Sequence, residues 1–400
     1  MKQKVVIIGA GHGGIQAASS LCEEGFEGEI VLISDEKEMP YQKPPLSKGF
    51  LQGKQTEDAI LFRSVNFYQN NNISLRLGTR VRKIEPNNYQ IELENGTFIP
   101  YNFLIIATGT SNRKLAIDGK IVENIYYLRS LVDAKNIEQK LSESQNIVVI
   151  GGGFIGLELA ALATEKGKNV TVIEAQSRLM ERVLPAMVSN VFCETHQKNG
   201  VRILLQTAIE HISDKEVILK KGERIKADLI LAGIGVIPEI SLASEAGITC
   251  ENGVLVNKYQ QTNYPNIYAI GDCANHFNAF ANKNLRLESV QNAVDQAKVA
   301  VNHILGKPQT YYMVPWFWTN QYQLKLQMAG INTDYDQTVI RGDIDINKFS
   351  VFYYKNHQLI AVDSLNRPAD HLAARKLIQN GISPTFEQVA DLTLKLGELC

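Results

Sequence analysis

Short, wholly apolar runs punctuate the chain, and two of them open the same larger pattern. Val5–Ile8 is a β-branched run suited to a parallel strand buried on both faces. It passes directly into Gly9-Ala10-Gly11-His12-Gly13-Gly14. Residues 15–24 then place Ile15, Ala18, Leu21 and Cys22 on one helical face. Ile30–Ile33 is a second buried strand, followed by Ser34-Asp35-Glu36. The pattern recurs further on. Asn146–Ile150 is apolar, Gly151-Gly152-Gly153-Phe154-Ile155-Gly156 is the turn, residues 157–166 read as helix, and Val170–Ile173 is a strand ending at Glu174. Towards the end the period changes. Phe349–Tyr354 and Gln358–Asp363 read as a hairpin, and residues 386–399 read as an amphipathic terminal helix.

Each glycine of such a turn has a mechanical reason. The first permits the tight turn, the second lets the backbone approach a pyrophosphate, and the third lets the helix pack on the strand. The helix then presents free N–H groups and its positive end to the phosphates. An acid after the second strand accepts from a ribose hydroxyl. Glu174 takes that place in the second copy. In the first copy Asp35 or Glu36 fits, with Asp35 preferred. A lone fingerprint is weak. Two copies, each with strand, helix and acid in place, predict two dinucleotides in one chain and electron movement between them. Glu174 favours the free 2′-hydroxyl of NADH over the phosphate of NADPH, although Arg178 and Arg182 lie a few residues on.

Composition narrows the field. The 400 residues suffice for two or three domains. A net charge of −1 gives no electrostatic case for nucleic acid or a membrane surface. No apolar run approaches a bilayer span, and the protein is expected to be cytoplasmic. The seven histidines show no paired metal-ligand spacing, so no metal is assigned. The five cysteines, Cys22, Cys193, Cys250, Cys273 and Cys400, form no closely spaced pair.

Further segments carry a resemblance to a known family. They are Pro40–Lys48 with its Pro-Pro-Leu-Ser-Lys ending, Leu104–Gly109, Thr262–Asp272, Arg286–Asn292 and Pro315–Tyr322 with its Trp-Phe-Trp. On these the chain resembles the NADH-dependent ferredoxin reductases that serve oxygenases and cytochromes P450, of the putidaredoxin reductase and rubredoxin reductase type. The likeness spans essentially the whole sequence. It implies an α/β fold with two Rossmann-like dinucleotide-binding domains, like glutathione reductase, plus an α+β C-terminal domain. FAD would be held by residues 1–112 and 236–312, NADH by 113–235, and 313–400 would form an interface domain. The residues agree in outline: Lys114–Lys120 is a polar connector, and Gly235–Pro238 is a turn after an apolar strand.

The resemblance also implies roles. Lys48 would lie near the flavin N5 edge, where a cation stabilises arriving electron density. Glu158 would lie at the nicotinamide and pair with Lys48, although an acid on a helical first turn is favourable by the dipole alone. FAD contacts would include Gly9, Gly11, Gly13, Gly14, Asp35, Val81, Ala107, Thr108, Gly109, Arg129, Gly271 and Asp272, with Asp272 on the ribityl chain. The helix starting near Ser289 would aim Val290 at the pyrimidine edge, and Trp318 would sit near the ring. NADH contacts would include Gly151, Gly153, Ile155, Gly156, Glu174, Arg182 and Gly235. The segment Gln42–Ser47 has no cysteine, whereas disulfide-reducing relatives need thiols there. Electrons would therefore leave directly for a [2Fe–2S] ferredoxin or rubredoxin. An NADH oxidase with a small acceptor is one alternative. A signalling flavoprotein like apoptosis-inducing factor is another. The chain would be a monomer or homodimer.

Overall fold

The structure is a computed structural model, and it describes residues 2–400. Two five-stranded parallel sheets form its frame. The first is ordered Ile267–Ala269, Phe103–Ile106, Lys4–Ile8, Glu29–Ile33, Ile73–Arg76. The second is ordered Tyr126–Tyr127, Leu229–Ala232, Asn146–Ile150, Asn169–Ile173, Arg202–Leu204. The solid apolar runs follow from burial on both faces. Val5 and Ile7 pack with the helices His12–Glu23 and Val290–Ile304, while Val6 and Ile8 pack with a small antiparallel sheet through Ile84, Ile91 and Ile99. In the second sheet Ile147 and Val149 face Leu157 and Ala160 of the helix Phe154–Glu165. Val148 and Ile150 face Val217, Leu219 and Ile225 of another antiparallel sheet.

The chain crosses from the first fold to the second at Thr110–Asn112 and returns at Val236–Pro238. These two segments pair antiparallel as a narrow ribbon. Lys114–Lys120, read from sequence as a polar connector, includes most of a two-stranded hairpin, Ala116–Ile117 with Lys120–Ile121.

The last part is a five-stranded antiparallel sheet, ordered Trp316–Gln321, Leu324–Gly330, Gln358–Leu365, Lys348–Lys355, Gln337–Asp343. The expected hairpin is its centre. One face carries the helix Pro368–Gln379 through Phe352, Tyr354, Val362, Ala374 and Leu377. The other face, with Leu324, Leu326, Phe349 and Val351, joins the core of the second glycine-turn helix.

The terminal helix expected over 386–399 is a correction. Only Phe386–Ala390 is α-helical, followed by a 3-10 turn at Leu396–Leu399. The buried Arg341 guanidinium donates to the carbonyls of Val389, Asp391 and Leu394 at 2.8, 2.6 and 2.7 Å. Asp391 Oδ1 also accepts from Thr393 N–H. A long-range cation thus captures carbonyls that a continuing helix would have used internally. Among the described residues no helix is long and apolar enough to cross a membrane.

Candidate functional site

The two glycine turns are nearly superposable in their constraints. Gly9 and Gly151 have φ of +105° and +101°, and a Cβ on them would stand 2.2 Å from Ala107 O and 2.6 Å from Gly233 O. A Cβ on Gly14 or Gly156 would stand 1.9 or 2.2 Å from the carbonyl of Gly9 or Gly151. No side chain fits there. Gly11 has nothing within 4 Å, and Gly153 meets only Gly233 O at 3.7 Å. The middle glycines therefore open onto free space at the helix N-termini, where an anionic pyrophosphate can meet backbone N–H groups. This is the cradle that a dinucleotide requires, and the residues present fit one in each copy.

The acids differ. Gly9 N donates to Ile33 O, and Gly151 N to Ile173 O, which sets the two copies in register. In that register Ser34 matches Glu174, and Asp35 lies one residue further. Glu174 already accepts from Gly152 N at 2.6 Å and Gln176 N at 2.8 Å. Asp35 is exposed and has no hydrogen-bond partner among the described residues. Glu36 is taken up by Lys43 at 2.7 Å and by the Tyr41 hydroxyl. Tyr41 also accepts from Leu131 N at 2.7 Å, so it ties the first turn to the helix Leu131–Glu143.

Around the first cradle the structure gathers cations. Arg129 approaches Asp272 at 4.0 Å, and Lys43 reaches the Arg129 carbonyl at 3.3 Å. Burial lowers the Lys43 ammonium from its ordinary value while the Glu36 carboxylate pulls the other way. His12 is pushed down to about 4 by burial and then by Lys43 and Arg129, so its imidazole is neutral. Burial raises the Asp272 carboxyl to about 6 against the pull of Arg129. Gly271 has φ +74°, and its N–H donates to Gln296 Oε1 at 2.7 Å, which fastens this loop to the helix headed by Val290. Ser289 caps that helix by accepting from Asn292 N. Ala107 N donates to Ile8 O, Thr108 Oγ1 donates to Glu239 O, and Gly109 takes φ +69°. Gly13 packs against Ile270, and Val81 is buried at the start of its strand.

A buried polar group lies between the folds. Lys48 Nζ stands 2.7 Å from Glu158 Oε2, across 110 residues of sequence. Ser47 Oγ donates to the same oxygen at 2.5 Å, and Thr319 Oγ1 donates to Glu158 Oε1 at 2.7 Å. The Glu158 side chain is 3% exposed and that of Lys48 is 23% exposed. A carboxylate so buried requires these partners. Ser47 and Lys48 come from the 3-10 turn Pro44–Ser47 and its C-cap, where the prolines set the entry. Glu158 comes from the second glycine-turn helix and Thr319 from the edge strand of the C-terminal sheet.

Ile155 is 43% exposed on the helical first turn. Gly235 has φ +99°, and the Arg182 guanidinium comes within 3.7 Å of where its Cβ would stand. Trp318 lies 5.4 Å from Trp316, ring to ring. All five cysteines are free, and the Cys273 thiol donates to backbone carbonyls, with burial raising it. The described residues contain no metal-ligating cluster. Sequence reasoning passed over Ser47, Thr319, Gln321, Lys43 and His12. Strand alternation carries the signal for two of them: Phe317, Thr319 and Gln321 share the face that meets the Glu158 helix, where the Phe317 ring lies 4.9 Å from that of Phe154, centroid to centroid, and tilted by 40° to it.

Comparison with known proteins gives two family matches. Residues 3–297 match the pyridine nucleotide-disulphide oxidoreductase model, and residues 316–400 match the reductase C-terminal model. The chain is 41% identical to rhodocoxin reductase of Rhodococcus erythropolis, covering 98% of this chain and 93% of that one. It is 40% identical to rubredoxin-NAD(+) reductase of Pseudomonas putida, covering 91% and 96%. Its fold matches the reductase in a covalent putidaredoxin reductase–putidaredoxin complex with TM-score 0.95 and 36% identity, covering 99% and 98% of the two chains.

Proposed function

The chain belongs to the pyridine nucleotide-disulphide oxidoreductase family, and we propose that it carries electrons from NADH through FAD, one at a time, to a [2Fe–2S] ferredoxin or rubredoxin serving an oxygenase or P450. It is an oxidoreductase that uses FAD and a nicotinamide nucleotide. FAD, when bound, supplies the two-electron to one-electron conversion that a nicotinamide cannot perform alone. The first cradle would hold FAD through Gly11, Arg129, Lys43 and Asp272. The second would hold NADH through Gly153 and Glu174. Lys48 and Glu158 would be the catalytic pair, with Lys48 presenting a fixed cation to the developing negative charge. We assign 1–112 and 236–312 to the FAD domain, 113–235 to the NADH domain and 313–400 to the interface domain. The ribbon at Thr110–Asn112 and Val236–Pro238 supports that division.

One observation carries the reading: the segment that disulfide-reducing relatives equip with thiols here offers Ser47 and Lys48 bound to Glu158, and no sulfur. Electrons then have no covalent carrier within the chain. The deciding experiment is steady-state NADH oxidation with and without an added ferredoxin or rubredoxin. Turnover that requires the iron–sulfur protein is expected. Equal rates with oxygen alone would replace this reading with an oxidase, and slow turnover with an NADH-dependent change in oligomer size would replace it with a sensor.

A further inference from the structure

A chain of hydrogen bonds runs from the Lys48–Glu158 pair into the C-terminal sheet and ends on a buried histidine. Thr319 Oγ1 donates to Glu158 Oε1 at 2.7 Å and accepts from Gln321 Nε2 at 3.2 Å. Gln321 Oε1 faces His196 Nε2 at 2.9 Å. Thr319 and His196 are fully buried, and Gln321 is 1% exposed. The bond directions follow from Glu158 Oε1 acting as acceptor: Thr319 donates to it and accepts from Gln321 Nε2, which leaves the Gln321 carbonyl for His196. Gln321 presents its carbonyl to His196, so His196 Nε2 carries the proton. Among the described residues its Nδ1 has no partner, which suits the unprotonated nitrogen of a neutral ring. Burial lowers the His196 imidazole, in keeping with that state. Each donor in the series therefore points towards Glu158, and aligned donors reinforce one another.

We propose that Thr319, backed by Gln321 and His196, is a positioning residue that fixes the rotamer of Glu158 and so holds the Lys48–Glu158 pair in register across three segments of the chain. Neither nucleotide fold does this alone. Lys48 and Ser47 restrain only Oε2, and a carboxylate held by one oxygen can still rotate about its side-chain bonds. Thr319 restrains the other oxygen from a separate sheet. The C-terminal sheet thereby becomes part of the site through a residue whose side chain bonds to Glu158 and Gln321.

The functional weight of this inference rests on the assignment of Lys48 and Glu158 above, but its test also reads the pair directly. Reductive methylation of the holoprotein, followed by mass spectrometry of the Lys48 peptide, reports how firmly that ammonium is paired, with exposed Lys198 as the internal reference. In Thr319→Val, Lys48 labelling should rise roughly three- to tenfold, the effect of losing the net contribution of one ordinary hydrogen bond. The limiting rate of flavin reduction by NADH should fall by a similar factor, with NADH affinity held within about twofold. Thr319→Ser should restore both. Gln321→Met keeps the threonine and should move both readouts the same way by a smaller factor, and it carries the test if Thr319→Val does not fold. Unchanged Lys48 labelling in a folded variant overturns the proposal, as does failure of Thr319→Ser to rescue. Raised Lys48 labelling with an unchanged rate of flavin reduction would leave the positioning of the pair standing and instead count against the catalytic roles proposed for Lys48 and Glu158.

Discussion

The two glycine turns share their backbone and differ in their surroundings. In both, the outer glycines exclude a Cβ by contact with backbone carbonyls and the middle glycine faces open space. The second turn is closed by its own acid, because Glu174 accepts from Gly152 N. The first has Ser34 in that position, leaves Asp35 without a partner among the described residues, and surrounds its cradle with Arg129, Lys43 and Asp272 from three separate stretches of chain. One site is built largely from a single strand–turn–helix unit. The other is enclosed by long-range groups. A nucleotide that must exchange every turnover suits the first kind, and one that must stay suits the second.

Substitution of the third glycines should break the comparison most severely. Gly14→Ala and Gly156→Ala each force a Cβ into a backbone carbonyl, at a cost of about 1–3 kcal/mol or more. Gly14→Ala is expected to yield protein without FAD, read as the ratio of flavin to protein absorbance. Gly156→Ala should retain FAD and lose reduction by NADH. Loss of FAD from both would show that the two folds are not independent. The middle glycines should separate folding from binding. Gly11→Ala and Gly153→Ala place a methyl in open space, so the apoprotein melting temperature should hold while affinity for FAD or NADH falls about tenfold or more, ~1.4 kcal/mol.

Smaller effects sharpen the contrast between the acids. Glu174→Ala should reduce the ratio of kcat/KM for NADH over NADPH about tenfold, and an unaltered ratio would remove Glu174 as the selector. The same substitution at Asp35 should leave that ratio untouched. Asp272 gives a pH signature without nucleotide. Burial raises its folded value to about 6 from an ordinary 3.8, so the folded state holds the proton more tightly than the unfolded chain. Its favourable contribution is complete below about pH 4 and is lost as pH rises through about 6. Melting of the apoprotein across that window should show the decline, and Asp272→Asn should flatten it.

Much of this was legible in the sequence for local reasons. A strand, a turn with fixed glycine spacing and a helix are written within about 30 residues, so both cradles could be read, and Lys48 and Glu158 could be named by family resemblance. The carboxylate's other partners could not. Thr319 lies 161 residues from Glu158, and its motif is dominated by Trp316 and Trp318, which share the opposite strand face. Asp35 follows its strand one residue later than Glu174 follows its own, and the bonds from Gly9 N to Ile33 O and Gly151 N to Ile173 O show that the offset persists in the fold. The terminal helix failed for a similar reason. Its apolar period is real, but Arg341 from a distant strand claims its carbonyls.

The narrow ribbon between the folds also bears on how the molecule is made. Strand Ile267–Ala269 completes the first sheet by pairing with Phe103–Ile106, and the entire second sheet is synthesised between them. On the ribosome the inserted fold has all its strands available while the first still lacks its last one. The inserted unit can therefore settle early from contacts of short sequence separation, whereas closure of the first sheet waits on a long loop. The outer strand of the first sheet is the last of that sheet to be made, so the Asp272 loop that follows it is also a late arrival. A released chain truncated before residue 267 should hold the second sheet complete and the first without its outer strand.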